Sequence, residues 1–496
     1  MTDRLSNPTM AVPSADSLGA QVRKAIIWRS GSQIAAQLVT WASTFLVLRI
    51  LDPHDYGLFA MTQVVLVLLN MLNGYGLASA IIQQPNVGER QIRQLFGMLI
   101  VLNASLAALQ FVAAPVAAAY YRQPIIAELL RVQSLLYLCT PFIALPYALL
   151  ARDMDFKKQA HANVASSLAG AAAALGGALA GLGVWTLVLA PLVLFATRGL
   201  AMTIAARSLC RPSFDFRGAG TVARYGGVMA AGQLFWFLQS QADIFIAGRA
   251  FAPHMLGIYA ESLFLTQIFV SKFVPPLNEV AFSAYARMQD DRAGLARAFL
   301  RGVRIIMLAA LPFYFGLAAV AAPLVLTVLG PKWAEMIPVV HLLAFAMPFM
   351  TLQVLYGPAC DACGRPGVGV VNGAIGAGLL ATAFLIGVHW GATGLALAWV
   401  CAYPLYLAFG TWRSLPVIGA RPGELGAAIA PPLLAAIAMA SIVTLIDHAL
   451  PPLPPAPRLA ILVVVGAAAY GGWLIAFSRG TVREVVALMS RQPLAA

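Results

Sequence analysis

The sequence predicts an all-α integral membrane protein with about 14 transmembrane helices, arranged as two parallel six-helix lobes plus two C-terminal helices. Three observations carry the prediction. The 496 residues are 60% hydrophobic and only 10% charged, with a mean hydropathy of +0.81. A soluble fold has no interior able to hide that much apolar side chain, whereas a bilayer needs no hiding. Lys and Arg fall unevenly between alternate loops. Finally, RILDPHDYGLFA at 49–60 returns without a gap as RAFAPHMLGIYA at 249–260.

Taken in order, residues 1–24 are polar, contain Pro8 and Pro13, and lack the apolar core of a cleaved signal peptide. They read as a cytoplasmic segment, with span 1 as an uncleaved insertion signal. The first lobe, 25–210, holds apolar spans at 27–48, 57–82, 95–119, 129–151, 161–181 and 184–206. A polar, Arg-rich linker at 211–224 follows. The second lobe, 225–413, holds spans at 225–248, 257–284, 303–329, 336–359, 368–388 and 391–411. Residues 414–496 add spans at 425–446 and 459–477 and a cytoplasmic tail.

Charge tests that count independently. With fourteen spans, one side of the membrane carries both termini and 25 of the 32 Lys and Arg residues. The other side carries 6, namely Arg49, Arg122, Arg131, Arg249, Lys332 and Arg458, and Lys272 lies inside span 8. Losing one helix from the count would scramble this asymmetry. The positive-inside rule makes the rich side cytoplasmic. The net charge of +13 is therefore mainly a topology signal. It suits contact with anionic membrane lipids, and the scattered basic residues build no nucleic-acid surface.

The repeat organises the lobes. Arg49/Arg249, Pro53/Pro253, His54/His254, Gly57/Gly257 and Ala60/Ala260 coincide. Six spans per lobe is an even number, so both lobes share one orientation. A pseudo-two-fold along the membrane normal and a cleft between the lobes are expected. The Gly-rich hairpins GLGVWTLV at 181–188 and WGATGLAL at 390–397 fall at matching places.

Signals for enzymatic chemistry are thin. Asp153-x-Asp155 has no α/β domain around it, and Gly367-x-Gly369-x-x-x-Gly373 opens a membrane span with no preceding strand. Cys360-x-x-Cys363 lacks the further ligands a zinc site needs. The chain has no P-loop, so ATP is not the direct fuel. No catalytic residue, metal or organic cofactor is expected.

The segments LRILDPHDYGLFA, ALLARDMDFKKQA, GLGVWTLV, VLGPKWAEMIPVVHLLA, CDACGRPGVGV and GATGLALAW resemble those of bacterial polysaccharide-export flippases of the Wzx type. These belong to the multidrug/oligosaccharidyl-lipid/polysaccharide exporter superfamily, and the resemblance runs over residues 20–415. It implies transfer of an undecaprenyl-pyrophosphate-linked oligosaccharide across the bacterial inner membrane by alternating access. Polysaccharide polymerase and glycosyltransferase partners are implied with it.

Against that background, Lys272 is the first substrate-binding candidate. A mid-span ammonium costs at least ~2.5–3.5 kcal/mol unless it meets water or an anion, and a pyrophosphate is such an anion. A structural ion pair is the bland alternative. Pro275-Pro276 should kink span 8 close by. Arg49 and Arg249 end spans 1 and 7, either as snorkelling anchors or as a pair of cations flanking the cleft exit, with Arg29 as a counterpart at the other face. Gln63, Asn70 and Asn73 follow one face of span 2, and either hydrogen-bond sugar or join helices. Asp243, with Gln239 four residues back, Glu261 and Glu279 are candidates for H⁺ or Na⁺ coupling. Asp243 and Lys272 should lie roughly 10 Å apart in depth at 1.5 Å per residue, which disfavours a direct pair.

Two rival readings stay open. One is a multidrug or peptidoglycan-precursor exporter of the same superfamily, although drug exporters select cations and Lys272 opposes that. The other is a membrane-embedded polymerase or ligase, which the short connections on the Lys- and Arg-poor side disfavour.

Overall fold

The computed structural model describes residues 15–73, 88–153, 155–215, 235 and 237–477, excluding the side chains of 15–30 and 32. Within these bounds the chain is helical, and no strand occurs among the described residues. In hydrocarbon each backbone polar group must be satisfied inside its own segment, which leaves a chain this apolar little besides helix.

Among the described residues, six helices precede the linker: α1 (Ala15–Ile50), α2 (Pro53–Asn70), α3 (Glu89–Tyr121), α4 (Ile125–Arg152), α5 (Phe156–Leu179) and α6 (Val184–Ala206). Helix α4 runs as three short segments, with interruptions at Ser134 and Thr140. The second set begins with α7 (237–250). Helix α8 has two segments, Pro253–Lys272 and Val274–Ala286. Then come α9 (Arg292–Ala319), α10 (Met336–Ala362), α11 (Pro366–Gly387), α12 (Gly391–Ile418), α13 (Pro422–Ala449) and α14 (Pro455–Phe477). Among the described residues, helix occurs at all fourteen expected places; residues 74–82 of expected span 2 and 225–234 and 236 of expected span 7 lie outside them.

Local chemistry sets the helix ends. Pro53, Pro253, Pro366, Pro422 and Pro455 each open a helix, where a missing N–H costs nothing. Asp155 caps α5 by accepting from the Lys158 N–H at 3.3 Å, and Asp291 caps α9 by accepting from the Gly294 N–H at 2.8 Å. The Asp-x-Asp sequence thus has a structural use. Gly181 and Gly183 between α5 and α6 have φ +72° and +54°, and Gly391 between α11 and α12 has φ +70°. These conformations favour glycine and make both hairpins tight.

The chain divides into two compact units. One comprises residues up to 50, 69–119 and 123–229; the other comprises 51–68, 120–122 and 230 onward. In the first, α5 lies between α1 and α6. Gly170 lets the Leu194 side chain approach, and Gly177 lets Thr186 do so. The start of the linker doubles back along α3, where Arg90 pairs with Asp215 at 2.9 Å and Arg93 donates to the Arg211 carbonyl at 3.0 Å.

In the second unit the two repeat elbows meet. A Cβ on Gly57 would overlap the Pro253 carbonyl, and a Cβ on Gly257 would overlap the Pro53 carbonyl. Such reciprocity is what a local two-fold contact requires. Both elbows also reach the short turn before α10. Lys332 pairs with Asp52 at 2.8 Å, and His254 meets Glu335 at 3.2 Å.

Large apolar side chains cover the outside. Val116, Leu179 and Leu445 are 71%, 77% and 71% exposed, which suits a lipid surround rather than water. Ten stretches among the described residues are long and apolar enough to cross a membrane, one of them comprising α11 and α12 together.

Candidate functional site

The second unit holds a buried polar relay centred on Asp243. This carboxylate has no solvent exposure. The Tyr259 hydroxyl donates to its Oδ2 at 2.7 Å, and the Ile244 N–H donates to its Oδ1 at 2.8 Å. The Trp399 indole N–H in turn donates to the Tyr259 oxygen at 2.8 Å. Helices α7, α8 and α12 are thereby joined through one acid. Trp399 stacks on Tyr403 with centroids 5.1 Å apart, and Tyr403 meets Tyr406 edge-on at 5.7 Å. Positions 399, 403 and 406 follow one face of a helix, and all three rings are buried. A carboxylate so enclosed is stable only while its acceptors stay filled, by hydrogen bonds, a proton or a cation. Gln239, one turn before Asp243, donates instead to the Gly373 carbonyl on α11 at 2.6 Å.

Lys272 is exposed and is the last residue of the first α8 segment. The helix breaks at Phe273 and resumes at Val274, immediately before Pro275-Pro276. Unfilled carbonyls at this helix end favour a cation. Neither a hydrogen bond nor an ion pair engages its ammonium among the described residues, and Asp243 and Lys272 do not pair. Glu261 is half-buried on the first α8 segment, and Glu279 is exposed on the second.

Arg249 is committed to its own unit. Its guanidinium donates to the Tyr120 carbonyl at 2.8 Å and lies 5.1 Å from the Tyr120 ring centroid. Tyr120 stacks on Phe245 at 4.5 Å, so the arginine clamps the end of α7. Arg49 is exposed at the end of α1. Arg29 lies within α1, and its side chain falls outside the described residues. Gln63 is half-buried on α2 in the second unit, whereas exposed Asn70 belongs to the first. Asn70 accepts from Asn73 at 3.4 Å, and Asn103 donates to the Asn73 carbonyl at 3.0 Å. Span 2 thus does not present its three polar residues to a single unit.

Two features of the structure lie outside the residues singled out from the sequence. The first is the Tyr259 hydroxyl, which hides in the conservative Phe59/Tyr259 pair of the repeat. The second is a polar chamber of about 350 Å³ within the first unit, between α1, α4, α5 and α6. Arg198 lines it from inside α6, eight residues before the helix ends at Ala206. Arg198 counts among the 25 Lys and Arg residues of the cytoplasmic side, yet it lies within α6. The signal was present, because span 6 at 184–206 encloses an arginine just as span 8 encloses Lys272.

These features describe a multi-helix membrane protein with a buried acid relay. The fold is similar to that of the lipid II flippase MurJ in its inward closed conformation, with a TM-score of 0.75, 12% sequence identity, and coverage of 92% of this chain and 100% of that one. The chain belongs to the polysaccharide biosynthesis protein family, whose sequence model matches residues 46–338. It is 26% identical over 452 residues to the succinoglycan biosynthesis transport protein ExoT of Rhizobium meliloti (strain 1021), covering 90% of this chain and 92% of that protein. It is also 26% identical over 301 residues to the lipopolysaccharide biosynthesis protein WzxC of Escherichia coli (strain K12), covering 60% of each. The resemblance to polysaccharide-export transporters holds: this is a multi-pass membrane transporter of polysaccharide biosynthesis, not an enzyme.

Proposed function

We propose that the protein carries an undecaprenyl-pyrophosphate-linked oligosaccharide repeat unit from the cytoplasmic to the periplasmic leaflet of a bacterial inner membrane, with both termini cytoplasmic. One observation carries this reading: the similarity to a succinoglycan transport protein runs over 90% of the chain. Transport proceeds by alternating access and draws on an H⁺ or Na⁺ gradient. Lys272 attracts the pyrophosphate. Its uncommitted ammonium, at a broken helix beside two prolines, supports that role. Asp243 is the leading coupling residue, because protonation or cation binding at its carboxylate would reset the contacts joining α7, α8 and α12. Glycosyltransferases make the substrate, and a polymerase consumes it.

The test is surface polysaccharide in a strain whose own gene is replaced by variants. Lys272→Ala should reduce export at least several-fold, and Lys272→Glu should reduce it further. Full export by both removes Lys272 from substrate binding. Asp243→Asn, Glu261→Gln and Glu279→Gln, made singly, should separate coupling from binding: a coupling variant still binds substrate but no longer responds to the ion gradient in proteoliposomes. A peptidoglycan-precursor exporter would instead rescue cells lacking that activity and leave surface polysaccharide unchanged.

A further inference from the structure

The chamber of the first unit has a chemistry that neither the acid relay nor Lys272 uses. Its polar lining includes Gln37 from α1, Gln159, Asn163, Ser166 and Ser167 from α5, and Arg198 from α6. Two of these residues have buried atoms without a hydrogen-bond partner, the Arg198 Nε and the Asn163 Oδ1. Leaving such groups unpaired away from water is costly, so each calls for a partner in the cavity, whether water, an ion or a ligand.

The two orphans specify complementary things. Among the described residues that line the chamber, Arg198 carries the formal charge and none is Asp or Glu. A metal cation or proton is therefore a poor occupant. Water could fill the Asn163 acceptor but brings no charge to offset a guanidinium held in a helix interior. A planar guanidinium matches carboxylate or phosphate oxygens with paired donors. The amide acceptor needs an O–H or N–H donor, and the surrounding Gln and Ser groups hydrogen-bond hydroxyls. The volume falls within the range of small-ligand sites.

We infer that this chamber is a binding site for an oxyanionic sugar, with Arg198 holding the anion and Asn163 accepting from a hydroxyl. The anion is either the carboxylate of an acidic sugar or the phosphate that joins the first sugar to its carrier; both present charged oxygens beside hydroxyls. The inference rests on the proposed substrate class only for what the sugar is attached to.

The test is thermal unfolding of the purified full chain in lipid nanodiscs, titrated with glucuronate, glucose 1-phosphate or glucose. A ligand that binds only the folded state raises the melting temperature. All titrations use a Lys272→Ala background, so that the other proposed anion contact does not contribute. At least one of the two anionic sugars should stabilise the protein, and glucose should do so about tenfold less effectively, as expected for loss of a charge-assisted bond. A response to glucuronate assigns the anion to the sugar, and a response to glucose 1-phosphate assigns it to the linkage. Arg198→Gln should abolish the response, and Arg198→Lys should weaken it. Ser167→Leu, which narrows the chamber without touching charge, should abolish it as well and serves if Arg198→Gln does not fold.

Equal responses to glucose and both anions, no response to any of them, or a response unchanged in Arg198→Gln overturns the inference. Loss of the inference leaves transport standing if the wild-type protein still translocates lipid-linked oligosaccharide. Conversely, an Arg198-dependent response in a protein without translocation would keep the chamber and remove the transport reading.

Discussion

A single hydroxyl separates Phe59 from Tyr259, and that atom reaches Asp243 at 2.7 Å. In the 200-residue register Asp243 corresponds to Ser43 and Lys272 to Leu72, so the second copy of the repeat carries a charge at each place where the first has none. Tyr259→Phe should strand both the Asp243 carboxylate and the Trp399 N–H. The expected loss is about 1–3 kcal/mol, read as a lower melting temperature of the purified protein. An unchanged melting temperature would mean that the relay contributes nothing to stability. Asp155 offers a pH test outside the membrane helices. Its partial burial raises the carboxyl pKa, but the hydrogen bonds and charge of Lys158, with Lys157, outweigh this and hold it below its ordinary value. A depressed folded value means that the cap stabilises above the ordinary carboxylate range and that this stability is lost as pH falls through the folded pKa. Asp155→Ala should cost about 0.5–2 kcal/mol at neutral pH. In strong acid, wild type and variant should unfold alike; a gap persisting there would contradict the assignment.

At the scale of elements, the elbows carry the sharpest expectation. Gly57 and Gly257 occupy equivalent positions in one reciprocal contact, each against the other's proline carbonyl. Gly57→Ala and Gly257→Ala should each destabilise by about 1–3 kcal/mol, the usual cost of overpacking. The double variant should cost less than the sum, because the first methyl already separates the two helices. Thermal unfolding of the three variants decides this, and strict additivity would show that the glycines do not share one contact. The repeat was legible in sequence because glycine and proline shape turns locally. That its two copies touch was not legible, since 200 residues separate them and nothing local encodes the approach. The broken α8 was legible in part, because Pro275 and Pro276 lack backbone donors, yet the break falls at Phe273, ahead of both.

For the whole molecule, the asymmetry of basic residues, 24 to 6 once Arg198 is placed within α6, predicts sidedness. In a chain freed of its five cysteines, Asp290→Cys and Pro452→Cys place single thiols in exposed connections, one after α8 and one after α13. A membrane-impermeant maleimide added to cells with a permeabilised outer membrane should label position 452 and leave 290 unlabelled until the inner membrane is opened. The opposite pattern would invert the topology, and labelling at both would break the span count.

The sequence by itself determined the environment, the helical class, the fourteen helix positions and the family. Each of these follows from hydropathy, from charge counted by loop, or from turn residues acting within a few positions of one another. Only the tertiary structure decided which charges are committed. Arg249 is spent on Tyr120, Asp243 on Tyr259 and Ile244, while Lys272 stays exposed and Arg198 faces a polar chamber. The physical reason is that a charge inside a membrane protein is defined by its partner. In this chain those partners come from helices tens to hundreds of residues away, brought together by packing rather than by local pattern.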